Sequence, residues 1–294
     1  MQGLLLIDKP KDMTSFSAVR RVKYLCHEKR VGHTGTLDPL ATGVLPIFIG
    51  KATALSSHLL DADKEYVARV RLGVSTDSCD ITGNVIRESQ VNVTQEQLLE
   101  VVNSFKGEIL QTPPMFSALK KDGVRLYDLA RQGKEVEIEP RKVNILEIKL
   151  DGFDGTEFNL FVKCSKGTYI RSLCRDIGEK LSCGATMTEL RRTATSGFNI
   201  ESCVSLDLLT EENISNYILN EEKAVENLRE IKVTEKQALR FCCGGQLSFE
   251  RLKGSFKEEN EIVRVKYNDI FLGLGRADLE KQELAIKCVI NSIK

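Results

Sequence analysis

Apolar residues run unbroken through Leu4, Leu5, Leu6 and Ile7 and stop at Asp8-Lys9-Pro10, which predicts a short buried strand ended by a turn. Helical spacing follows: Val19, Val22, Leu25 and Cys26 fall on one face, with Thr14 or Ser15 placed as cap. Residues 44–49 form a second apolar run, in which Pro46 lacks an N–H and so points to an edge strand or a bulge. Residues 52–63 suit a helix. Over 64–74 the pattern alternates, Tyr66, Ala68, Val70 and Leu72 against Val67, Arg69 and Arg71, as in a half-buried strand. Residues 80–86 read as a turn into another strand. Residues 94–107 predict a helix with Thr94 as cap, Gln97 completing a capping box and Gly107 as its stop.

The second half is less regular. Residues 111–134 carry prolines, basic residues and Gly123, an excursion with a short helix at 125–132. Residues 143–153 and 157–170 alternate as a hairpin through Asp154-Gly155, and 169–181 is helical. The acidic stretch 201–230 is read as helical. From about 231 the texture turns strand-like with glycine turns, which suggests a small separate β-rich module.

A hydrophobic fraction of 41% and a charged fraction of 29% fit a soluble folded chain rather than a disordered one. The apolar runs are far short of the roughly 20 residues of a membrane span, and nothing resembles a secretory signal, so the cytoplasm is the expected location. The nine cysteines include no CxxC pair, which leaves zinc without support and suits small buried side chains. Net charge is zero, yet residues 1–60 hold eight Lys/Arg against four Asp/Glu, and 163–192 hold seven against three. Such regions suit phosphates, as they also suit an ordinary solvated surface.

The most unusual segment is Gly32–Gly43, GHTGTLDPLATG, with three glycines and a single carboxylate, Asp38. It lacks the Gly-Lys-Ser/Thr ending of a phosphate loop, and Asp38 would repel phosphate. His33 and Asp38 alone are too few for a metal site. From these residues Asp38 could equally be a turn former.

The set LLLIDKP, GHTGTLDPLATGVLPI, DADKEYVARVRLG, CSKGTYIRSLCRDIG and LRRTATSGF, in this order over about residues 2–200, closely resembles the TruB family, the tRNA pseudouridine-55 synthases. The resemblance implies an α+β fold: a large mixed, mostly antiparallel sheet flanked by helices, with a cleft across its middle and a small β-rich C-terminal module. It implies isomerisation of uridine to pseudouridine in the T-arm of tRNA, by base flipping, with no cofactor and no metal. Asp38 then becomes the required aspartate, acting at C1′ or through a glycal. Arg171 is its partner, and Tyr66 stacks under the uracil or abstracts a proton. Tyr169 and Leu190 line the uracil pocket, His33 contacts the RNA, and Lys64 is a candidate phosphate contact, as are Arg20, Arg21, Lys23, Lys29 and Arg30. Lys9 and Pro10 match a structural motif.

The resemblance also implies a catalytic domain over 1–230, an RNA-ordering insertion at about 108–135, a PUA-like RNA-binding module over 231–294, and a monomer. A chain ending near 230 is expected to fold and keep slow activity. A tRNA folding chaperone and an RNA-guided synthase remain as rival readings; the guided proteins usually bear longer terminal extensions.

Overall fold

Strand β1 (Gly3–Lys9) is buried along almost its whole length, because it is covered on both faces. Leu5 and Ile7 point into the main core, while Leu4 and Leu6 point into a second one. That is why its sequence is a continuous apolar run rather than an alternation. The computed structural model describes all residues except Asp61, Ala118, Asp122, Glu135, Lys253, Gly254 and Lys294, and only the backbone of Lys120, Arg125 and Arg131.

Helix α1 (Ser15–Cys26) starts at Thr14, whose side chain accepts from the Ser17 N–H. It is followed by β2 (Val31–His33), β3 (Thr42–Ile49) and β4 (Lys64–Leu72). Helix α2 (Gln95–Asn103) carries the expected capping box but stops at Ser104, and Gly107 instead opens strand β5 (Gly107–Gln111). Short helix α3 (Leu126–Arg131) precedes the hairpin of β6 (Arg141–Phe153) and β7 (Glu157–Cys164); α4 (Ile170–Lys180) and β8 (Ala185–Thr195) complete the framework.

The main sheet runs Val204–Ser205, β1, β3, β8, β4, β7, β6, β5. It is mixed and mostly antiparallel. Its one central parallel contact, β3 on β8, covers only Thr42–Arg191 and Gly43–Arg192. The loop 34–41 leaves from this seam. Helices α1, α2 and α4 pack on one face. The other face of β4 is open, which explains the alternation there: Ala68 and Val70 are buried and Val67 is exposed.

Three sequence expectations are corrected. Pro46 lies in an interior strand, between β1 and the Thr34 segment; its carbonyl accepts from the Thr34 N–H, and its missing N–H falls where β8 has ended and β2 has not begun. Residues 50–59 form a 3₁₀ rather than an α-helix, Gly50–Leu59, burying Ala52, Leu55 and Leu59. The acidic stretch is not α-helical: 3₁₀ turns alternate with Val204–Ser205 and Ile218–Leu219, both of which pair with β1. Sealing that sheet edge overrides local helix preference. Of the nine cysteines, five are buried and Cys243 is exposed.

The C-terminal module is a five-stranded sheet from Glu230–Lys232 to Glu283–Val289, carrying α5 (Glu235–Cys242). It is not self-sufficient. Phe271, Leu274 and Ile290 are buried against Leu4, Leu6 and Phe48. Gln2, the buried Glu221 and Asn291 close a hydrogen-bonded triangle beside them, with distances of 2.7–2.9 Å. Each such buried side chain contributes ~1.5–3 kcal/mol. A chain shortened to residues 1–230 is therefore expected to unfold at much lower temperature than the full chain, or to aggregate, against the expectation from sequence. Thermal unfolding checks this; an unchanged midpoint would show that the shared core contributes nothing.

Candidate active site

The loop that carries Asp38 is pinned at three carbonyls. Ser15, the first residue of α1, grips Leu37 both ways: its hydroxyl donates to the carbonyl at 3.0 Å and accepts from the N–H at 2.8 Å. The Asp12 N–H donates to the Pro39 carbonyl at 2.8 Å, and buried Lys9 also reaches it, at 3.4 Å. Arg192 donates through Nη2 to the Gly35 carbonyl at 2.8 Å. The carboxylate between these pins is fixed by its backbone rather than by chance, and 39% of its side chain remains open to a pocket of about 350 Å³.

The first turn of α4 brings Arg171 to it. Nη2 lies 2.9 Å from Asp38 Oδ2 and donates at 2.9 Å to the Phe116 carbonyl. Nη1 turns the other way, 3.4 Å from Asp80 Oδ2 and 3.2 Å from the Ser78 carbonyl. The guanidinium thus bridges two carboxylates instead of clamping one. Asp80 is buried, its Oδ1 accepting from the Ser78 hydroxyl and the Thr82 N–H. The sequence reading missed it; its only signal was an Asp in a turn between short strands.

Tyr66, on an inward position of β4, and Leu190, on β8, face the same pocket. So does Tyr169, the residue before α4, whose N–H and carbonyl are both held by the buried Gln111 side chain, at 2.8 and 3.1 Å. Lys64 lines the pocket too, with Nζ donating to the Leu60 and Ala62 carbonyls. His33 does not line it. It sits on β2 opposite Ile47, with a buried Nδ1 that has no hydrogen-bond partner among the described residues. Arg20, Arg21, Lys23, Lys29 and Arg30 are exposed along and just beyond α1. Lys121 donates to the Glu137 carbonyl at 2.6 Å, while the side chains of Lys120, Arg125 and Arg131 lie outside the described residues.

Two of the loop glycines are required by contacts within the protein. A Cβ on Gly43 would lie 2.1 Å from the Arg192 carbonyl oxygen, and one on Gly35 would lie 3.1 Å from Arg192 Nη1. Both have positive φ, +105° and +71°. Their close approach is to Arg192, inside the protein.

Burial pushes the Asp38 carboxyl above its ordinary value, with Asp80 adding to the rise, while Arg171 and, more weakly, Lys9 oppose it. Burial likewise raises Tyr66, opposed by Arg192, and raises Tyr169. Burial lowers Lys9 to about 8 and lowers His33, with Arg192 assisting in both. The pocket therefore presents a carboxyl whose proton affinity burial raises and Arg171 opposes, beside two phenols whose proton affinity burial also raises. Among the described residues no three His, Cys, Asp or Glu side chains gather as a metal site.

Comparison with known proteins places this geometry. Residues 23–170 match the family profile described as TruB family pseudouridylate synthase (N terminal domain), and 171–232 match tRNA pseudouridylate synthase B C-terminal domain. The chain is 47% identical over 282 residues to tRNA pseudouridine synthase B of Clostridium acetobutylicum, spanning 95% of this chain and 97% of the relative. It is 45% identical over 281 residues to that of Clostridium tetani, with the same coverage. Among solved structures it aligns with a chain of a Cbf5-Nop10-Gar1 complex at TM-score 0.74 and 29% identity, covering 98% of this chain and 84% of that one. It also aligns with a chain of an H/ACA RNP bound to a substrate RNA containing 2'-deoxyuridine, at TM-score 0.73 and 27% identity, covering 99% and 84%.

The electrostatics make a testable statement. Asp38 should titrate above 3.8 in the folded protein, and Arg171→Met should move it higher still. Carboxyl-carbon NMR reads this directly, and a value at or below 3.8 overturns the burial argument. The sign for stability follows: the folded state holds this proton more tightly than the unfolded chain. The stability from this group is therefore full below the unfolded pKa and is lost as pH rises through the folded one.

Proposed function

Since this chain belongs to the TruB family and is thus a pseudouridine synthase acting on tRNA, we propose that its target is uridine 55 in the T-arm and that Asp38 carries the chemistry. The observation that supports this reading most directly is Asp38 itself: a pinned carboxylate, 2.9 Å from a buried guanidinium, open to a pocket walled by Tyr66, Tyr169 and Leu190.

Substrate and product are isomers, so no atom or electron has to be supplied. The N1–C1′ bond breaks with its electron pair going to N1. The uracil turns, C5 bonds to C1′, the C5 hydrogen leaves as a proton, and N1 regains one. Asp38, ionised, meets the electron-poor C1′, either by bonding to it or by taking a ribose proton on a glycal route. Arg171 keeps it charged and aimed. Tyr66 stacks on the flipped base, and its hydroxyl is the candidate group to receive the C5 proton. With the phenol protonated at rest, that role needs a proton relay rather than a standing phenolate. Tyr169 and Leu190 confine the ring.

The basic surface of α1 and the segment 108–135 hold the RNA backbone, with His33 and Lys64 adding contacts at the pocket rim. Residues 1–230 supply the chemistry and 231–294 add RNA contacts. The enzyme works as a monomer in the cytoplasm. Because flipping opens the arm, binding alone also lets the protein act as a tRNA folding chaperone, independent of Asp38.

Asp38→Asn keeps shape and removes charge. It is expected to bind unmodified tRNA normally and form no pseudouridine in single-turnover assays at saturating enzyme. Substantial product from this variant would sink the catalytic assignment. Tyr66→Phe is expected to keep tRNA affinity and lose most of the rate; full turnover leaves Tyr66 a stacking role only. Pseudouridine mapped away from position 55 overturns the T-arm reading.

A further inference from the structure

Arg192 is the largest fully buried side chain of the described residues, with no measurable exposure. Burying a guanidinium is costly unless its charge is paired. Its half-exposed neighbour Arg191 is paired, with two contacts to the Asp8 carboxylate at 3.1 and 2.6 Å. Arg192 is not: among the described residues it has no carboxylate partner within ion-pair distance. Its donors go to backbone carbonyls, Nε to Val44 at 2.8 Å and Nη2 to Gly35 at 2.8 Å. Those two carbonyls bracket the Asp38 loop. The same residue lines the pocket and lies directly opposite Tyr66 where β8 pairs with β4, so its charge favours release of the phenol proton.

We infer that Arg192 is a positioning residue of the isomerisation, tying the Asp38 loop and the Tyr66 hydroxyl to one another through a buried guanidinium without a carboxylate partner. This rests on the roles proposed above for Asp38 and Tyr66. The physical reason for the missing partner is the reaction. A carboxylate there would neutralise the positive field over the pocket and hold the Tyr66 proton in place. Without one, the field serves the negative charge that uracil gains when N1 leaves C1′. Gly35 is the sequence imprint of this arrangement, since a side chain there would meet the Arg192 guanidinium.

The test uses the full chain and unmodified tRNA. Arg192→Met and Arg192→Lys are made with Tyr66 intact and with Tyr66→Phe, and tRNA affinity, single-turnover rate and thermal stability are measured for each. Arg192→Met is expected to bind within a few-fold of wild type while its chemical step slows about tenfold or more. Arg192→Lys retains charge and is expected to recover part of that rate. With Tyr66→Phe the further loss on removing Arg192 should shrink, because the two side chains are cross-strand partners and Arg192 acts through the phenol. Should Arg192→Met fail to fold, the Arg192→Lys rate and its coupling to Tyr66→Phe decide alone.

Three results overturn the inference: a wild-type rate per folded molecule, a loss confined to tRNA affinity, or fully additive losses with Tyr66→Phe. Failure of the underlying reading looks different: the wild-type protein itself would make no pseudouridine at position 55.

Discussion

The site depends on one buried carboxylate whose proton affinity is raised by burial and lowered by a single guanidinium. Asp38 sits where desolvation pushes its proton affinity up. The countermeasure is Arg171, itself nearly inaccessible and held in place by Asp80 and by the carbonyls of Ser78 and Phe116. Two anions and one cation share the arrangement. Removing either outer member leaves the guanidinium with an uncompensated side, so the small hairpin carrying Asp80 and the segment carrying Phe116 belong to the site as much as the loop does.

The sheet explains why these pieces meet. Asp38 leaves the seam where β3 and β8 touch over two residue pairs, Tyr66 lies on the next strand across, and α4 packs against the same face. Buried donors then fix the loop to that frame: Ser15 from α1, Lys9 from β1 and Arg192 from β8. The loop needs no secondary structure of its own to be rigid.

Much of this was readable in the chain. Alternation in β4 and helical spacing in α1 and α2 gave the elements, and the family motifs gave Asp38, Tyr66, Arg171, Tyr169, Leu190 and Lys64, which the fold brings to one pocket. Where reading failed, the cause was tertiary. Pro46 is tolerated inside the sheet because its neighbours on one side are interrupted. Residues 201–230 gave up helix to seal β1. Asp80, Gln111 and Arg192 carry no local pattern; they matter through partners 91, 58 and 157 residues away in sequence. Gly35 and Gly43 likewise answer to residue 192, the first to its guanidinium and the second to its backbone, which no local pattern shows.

The sandwiching of β1 reaches beyond the finished molecule, to the order in which it forms. Gln2 bonds to Asn291, 289 residues later, and the cover over Leu4 and Leu6 is completed by Phe271, Leu274 and Ile290 of the last strands. A chain emerging from the ribosome N-terminus first must therefore hold an apolar strand half-covered until synthesis is nearly complete. Closing contacts of such separation makes folding slow and leaves the nascent chain open to wrong pairings meanwhile. The final sixty residues act as a clasp on the first ten.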